Sequence, residues 1–151
     1  MKKEFLMEGI IALMVLLFVY AGSSKLVDMN GFKAGMLIQP FPAWVNKVLA
    51  ATLPFAEIII AAGLVFKLSR RPALYAYAGL MLCFTGYTGL VVAGYFAHRP
   101  CSCGGIISGL SWGWHFFINL IFSGLTGLAI RMHSRQTILY NQGVSRKPVR
   151  E

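Results

Sequence analysis

Apolar residues fall along this chain in four long blocks, with polar and basic residues gathered between them. A bilayer core needs about 20 mainly apolar residues per helix. Residues 5–26, 44–66, 73–96 and 110–130 meet that length. Each break has a physical cause. Asp28, Asn30 and Gly31 end the first block, and Pro40 and Pro42 bar an immediate restart. Ser69-Arg70-Arg71-Pro72 separates the second from the third, and His98-Arg99-Pro100 with Gly104 and Gly105 separates the third from the fourth. The pattern predicts an all-α integral membrane four-helix bundle, one domain over 1–151. Phe41, Trp44 and the neighbouring prolines are expected at the interface. The basic tail 131–151 is expected on the membrane surface or unstructured.

Composition agrees with this pattern. The chain is 57% hydrophobic and 13% charged, with mean hydropathy +0.66, where a soluble domain carries about 25% charged residues. The net charge of +9 could suit nucleic acid. Its placement between apolar blocks suits anionic lipid head groups instead, so the expected partner is the bilayer and not nucleic acid.

The basic residues also predict orientation. With the N-terminus inside, Lys2, Lys3, Lys67, Arg70, Arg71, Arg131, Arg135, Arg146, Lys147 and Arg150 are cytoplasmic, against Lys25, Lys33, Lys47 and Arg99 outside. The positive-inside rule then gives an N-in/C-in protein with its third connection on the outer, oxidising face. Trp112 and Trp114 fall at the outer aromatic belt. Lys2 and Lys3, an apolar run and Ala21-Gly22-Ser23-Ser24 also outline a cleavable signal peptide. The run is longer than a usual signal core, and cleavage would leave three helices, so the first helix is read as retained.

The candidate chemistry centres on His98-Arg99-Pro100-Cys101-Ser102-Cys103-Gly104-Gly105. A Cys-x-Cys pair closes only a very small ring, and a strained, exposed disulfide belongs with the labile ones. Arg99 and the start of the fourth helix both favour thiolate. The spacing leaves two readings open: a redox pair, or a plain turn whose cysteines are passive. A soft-metal site of His98, Cys101, Cys103 and His115 suits the ligand types, but the spacing is not the usual one for zinc, and no metal ligand is assigned. Cys83, inside an apolar block, packs as a small apolar group.

Glu57 places a carboxylate in the middle of the second helix, where an ionisable residue is by default a functional candidate. At ~1.5 Å per residue, Glu57, Tyr87 and Asn119 each lie about 13–15 Å below the outer surface, with Tyr20 somewhat shallower. These residues are expected to form a polar layer that satisfies Glu57, either as interhelical glue or in a proton or quinone role. His115, four residues before Asn119, would stand between this layer and the cysteines. Gly79, Gly86, Gly89 and Gly94 in the third helix, and Gly124 and Gly127 in the fourth, are read as sites of close helix contact. Pro54 is expected to kink the second helix.

Taken in order, these residues resemble the MauE/DoxX family of bacterial redox-associated membrane proteins. The resemblance is carried by Tyr20-Ala21-Gly22-Ser23-Ser24-Lys25-Leu26 with Asp28 and Phe32, and by Leu53-Pro54-Phe55-Ala56-Glu57 with Gly63. Cys101-Ser102-Cys103-Gly104-Gly105 with Trp112, His115 and Asn119 completes it. It implies a four-helix bundle of the inner membrane, similar in outline to the quinone-linked disulfide enzymes of the vitamin K epoxide reductase type. The implied role is support of disulfide formation or maturation of exported proteins. Cys101 and Cys103 would be the exchanging pair, with Arg99 stabilising thiolate and a quinone pocket near His115, Glu57, Tyr87 and Asn119. Gly104-Gly105 departs from the glycine-plus-aromatic run of the family. No thioredoxin-like domain lies within these residues, so the implied partner is a separate extracytoplasmic thioredoxin-like or cysteine-containing protein. A non-enzymatic subunit that assembles a larger complex through its helices is the competing expectation.

Overall fold

A computed structural model of the chain describes residues 2–96 and 111–145, with side chains over 4–96 and 111–135. Its helices are α1 (Lys2–Val27), α2 (Met29–Leu37), α3 (Ala43–Val65), α4 (Arg70–Val92) and α5 (Trp112–Ser145). Four of them, all but α2, are long and apolar enough to cross a membrane. The expected all-α membrane bundle is therefore what the chain forms.

The boundaries differ from expectation where a polar residue does a second job. Asp28 ends α1 but also starts α2 as its N-cap, accepting a hydrogen bond from the Gly31 N–H at 3.0 Å. The helix therefore restarts after a single residue. Pro72 does not delay α4, which begins at Arg70. A proline in the first turn removes an N–H that has no intrahelical acceptor there. At its far end α4 stops at Val92, because Gly94 takes a left-handed φ of +73°. The Gly94 N–H then bonds Val91 O and the Tyr95 N–H bonds Leu90 O, at 3.2 and 3.0 Å. This is the Schellman pattern that closes a helix. At the other extreme α5 does not end near residue 130 but runs on to Ser145, so the start of the basic tail is helical.

Contacts between helices place α1, α3, α4 and α5 in that order around a ring, with α2 laid against α3 and the end of α1. α1 and α4 are diagonal neighbours, and the space between them is filled by Phe18 stacked on Tyr77, with ring centroids 4.0 Å apart. Met14, Leu64, Leu74 and Met81 complete the buried centre. Leu16, Ile59, Leu82 and Leu120 point outward, an apolar exterior suited to lipid. At the end where the chain starts, Arg70 grips both Glu8 carboxylate oxygens at 2.6 and 3.1 Å. Its Nε also donates to Leu64 O at 3.1 Å. That carbonyl is one of the last in α3, so the guanidinium ties three helices together.

Close helix approach occurs at other glycines than those expected. A Cβ on Gly63 would lie 2.9 Å from Ala73 Cβ, bringing α3 onto α4. One on Gly22 would lie 2.9 Å from two Ile58 carbons and 3.0 Å from Pro54 O, bringing α1 onto α3. Of the glycines expected to serve this purpose, Gly89 alone is tight, 3.1 Å from the Phe116 ring. Among the described residues, a Cβ on Gly79, Gly86, Gly94, Gly124 or Gly127 would have nothing within 4 Å.

Candidate functional site

Lys25, Glu57, Tyr87, Thr88, His115 and Asn119, polar residues drawn from all four spans, gather at the bundle end opposite Arg70 around a cavity of about 320 Å³. α1 brings Lys25 there, one turn after Ala21, and α3 brings Glu57, one turn after Pro54. The Lys25 ammonium donates to both Glu57 oxygens, at 2.8 and 2.9 Å, and to Ala21 O at 3.2 Å. It also sits 5.9 Å from the centroid of the Phe32 ring on α2. Lys25 is 6% exposed and Glu57 1%. All three ammonium donors are thus engaged, and the two charges cancel at the cavity wall.

Such a pair is not what the depth count suggested. Glu57 is met by Lys25, which charge counting assigns to the outer surface, and not by a layer containing Tyr20. Tyr20 is 52% exposed and does not line the cavity. A signal for the pair was present in the sequence, since Lys25 and Glu57 are opposite charges inside two of the apolar blocks. An unpaired charge within a span is expensive, so opposite charges in neighbouring spans tend to find each other.

From the opposite side α5 presents His115 and Asn119, and α4 presents Tyr87; all three line the same cavity as Glu57. The expected set His115, Glu57, Tyr87 and Asn119 is therefore brought together. His115 and Asn119 are 7% and 8% exposed. Their spacing of four keeps them on one face of α5. Cys83 also lines the cavity and is exposed as a free thiol, so it is not the buried packing group its apolar setting suggested.

A strap made of α2 and the turn after it closes one side of the cavity. Asn46 Nδ2 donates to Gln39 O and Phe41 O, at 3.1 and 3.2 Å, and the Tyr87 hydroxyl donates to Gln39 Oε1. The Phe41 ring lies 5.4 Å from that of Tyr87. Gln39 and Asn46 carry no family-level or charge signal, and sequence reasoning passed over both. Asn46→Ala would leave Phe41 O without its donor and Gln39 O with the Phe41 N–H alone, at about 1–2 kcal/mol. The expected result is roughly tenfold faster amide hydrogen exchange across residues 29–42. α4 and α5 should be unchanged, as read by mass spectrometry.

Arg99, Cys101 and Cys103 lie outside the described residues, as does His98. The residues flanking that segment do not. Phe96 and Trp112 each place a ring 6.0 Å from that of Tyr87, and Trp112 lies 6.2 Å from His115. The α4–α5 connection therefore leaves and re-enters the bundle at the rim of the cavity.

A four-span helical membrane protein with a paired charge and a polar-rimmed cavity at one end is the class that this fold and site define. The chain belongs to the MauE family, described as methylamine utilisation protein MauE, which it matches over residues 3–132. No curated protein and no solved structure is significantly similar to it.

Proposed function

We propose that the chain is a thiol–disulfide redox protein of the bacterial inner membrane, supporting disulfide formation and maturation of extracytoplasmic proteins. The observation that carries this reading is the tethering of the cysteine-bearing connection. Phe96 and Trp112 both pack on Tyr87 at the cavity rim. Cys101 is five residues from Phe96, a reach of at most ~18 Å. In this reading the pair works from that reach of the cavity rim, on the face that the positive-inside rule would put outside.

In this reading the Cys101–Cys103 disulfide accepts two electrons from a thioredoxin-like or cysteine-containing partner. A partner thiolate attacks one sulfur of the pair, breaking its S–S bond and forming a mixed disulfide. The second partner thiolate then attacks that bond, leaving the partner oxidised and the pair reduced. Arg99 stabilises the departing thiolate by its charge.

The test is to trap the thiols of the pair in living cells with a mass-shifting maleimide. The native chain is expected to show oxidised and reduced forms that shift with growth conditions. Cys103→Ser, which leaves no disulfide for a partner thiolate to attack, and the double Cys101→Ser/Cys103→Ser variant are both expected to lose partner oxidation entirely. A permanently reduced pair together with an unchanged phenotype of the double variant would overturn the reading.

One observation favours a second reading, that of a non-enzymatic assembly subunit. Among the described residues, Gly79 and Gly86 on α4, with Gly124 and Gly127 on α5, have open space around them, and small residues on a lipid-facing helix admit another helix. On that reading Gly86→Leu breaks co-purification with partner subunits, while Cys101→Ser is silent.

A further inference from the structure

We propose that the Arg70 end of the α4–α5 seam binds an anionic phospholipid, whose phosphate is held by Arg71, Arg135 and the Ser134 hydroxyl. The site is independent of the redox reading. It follows from the register of the two helices, which pack antiparallel. A Cβ on Gly89 of α4 would lie 3.1 Å from the Phe116 ring, and Thr85 Oγ1 lies 3.0 Å from Ser123 Oγ. Eighteen residues separate Arg71 from Gly89, and eighteen separate Phe116 from Ser134. That is five whole turns at 3.6 residues per turn. Arg71 and Ser134 therefore stand on the same two faces as Gly89 and Phe116, at the other end of the seam. In keeping with this register, the charges of Arg70 and Arg71 both act on the His133 ring.

The charge that converges there is positive and unspent. Arg70 itself is buried, with its guanidinium taken up by both Glu8 oxygens and Leu64 O. Arg71, Arg131, Ser134 and Arg135 are exposed. Among the described residues, these three arginines enter no ion pair or hydrogen bond. The described carboxylates of this end, Glu4 and Glu8, lie on α1, the helix diagonal to α4. The helix dipoles lean the same way. α4 begins at Arg70, so its positive end is at the site, whereas α5 runs ten residues past Arg135 and carries its negative end about 15 Å away. Planar guanidinium forks match phosphate oxygens two at a time, and a serine hydroxyl donates one bond more. Arg131, one turn deeper on the face of Arg135, snorkels to the same phosphate.

Apolar surface beneath these cations makes the ligand a lipid and not a free phosphate. Tyr75, one turn deeper than Arg71, is 52% exposed, and Leu128, two turns deeper than Arg135, is 43% exposed. Spacings of four and seven put each on the face of the arginine above it. A phosphate tied to acyl chains covers both side chains while its head group stays on the arginines. Basic clusters between spans are settings for such head groups. Membrane orientation asks only for positive charge at one end, not for its convergence on one seam.

The experiment is native mass spectrometry of the full chain released from dodecyl maltoside micelles, titrated with dioleoylphosphatidylglycerol or dioleoylphosphatidylcholine. The anionic lipid is expected to half-saturate the first site at a concentration about tenfold below that of the zwitterionic one. Arg71→Gln and Arg135→Gln should each raise that concentration about fivefold, the worth of one cation at a membrane surface. Neither should alter phosphatidylcholine binding. Lys47→Gln removes an exposed cation at the opposite end and should change neither lipid. Millimolar inorganic phosphate should leave phosphatidylglycerol bound.

Equal half-saturation by the two lipids, or displacement of phosphatidylglycerol by inorganic phosphate, would overturn the inference. So would phosphatidylglycerol binding that is unchanged in both arginine variants, or weakened as much by Lys47→Gln as by Arg71→Gln. The comparison of lipids uses the native chain and stands if a variant fails to fold.

Discussion

Lys25→Met is expected to destabilise the bundle by about 3–5 kcal/mol, the cost of leaving one member of a buried ion pair without its partner. The geometry sets this scale. Glu57 is 1% exposed and receives two hydrogen bonds from Lys25, at 2.8 and 2.9 Å. Removing the ammonium leaves a carboxylate enclosed by apolar side chains, and removing the carboxylate does the same to the ammonium. Replacing both is different in kind. In Lys25→Met/Glu57→Leu no charge is left to desolvate, and apolar replacements of similar volume are often neutral. The single variants should lose on the order of 10 °C in melting temperature, while the double variant should recover most of it. Circular dichroism of the protein in detergent checks this. A Lys25→Met chain that melts with the native protein would mean that the pair does not contribute to holding α1 on α3.

The next largest effect is expected at Gly63. A Cβ there would stand 2.9 Å from Ala73 Cβ. Alanine has no side-chain torsion with which to yield, so the axes of α3 and α4 must separate. Gly63→Ala should cost about 1–3 kcal/mol as overpacking, and Gly63→Leu more. Gly79→Ala is the control. No described residue lies within 4 Å of its would-be Cβ, and alanine is the better helix former by about 0.8–1.0 kcal/mol, so that variant should be neutral or stabilised. The two glycines lie in neighbouring helices of one bundle and should move the melting temperature in opposite directions, or Gly63 alone should move it.

Those two sites show what kind of information each level of structure holds. The four spans were legible because bilayer thickness turns helix detection into a count along one dimension. Depth was legible on the same ground, and Glu57, Tyr87, His115 and Asn119 do line one cavity. The short helix α2 was not, because Asp28 reads equally as the end of one helix and as the N-cap of the next. The far end of α5 was missed for a related reason: polarity along residues 131–145 marks the limit of the apolar span, not the limit of the helix.

By itself, then, the sequence determined that this is an all-α membrane bundle of the MauE family, with its polar groups at a shared depth. Only the tertiary structure decided which of them meet. That choice depends on how each helix is rotated about its own axis, and rotation is settled by contacts between distant residues. Gly22 seats α1 against Ile58 and Pro54 of α3. With the two helices seated there, Lys25 reaches Glu57 while Tyr20, five residues away on α1, faces outward. A step of five residues turns the side chain through about 140° around a helix with 3.6 residues per turn, so depth alone could not separate the inward residue from the outward one.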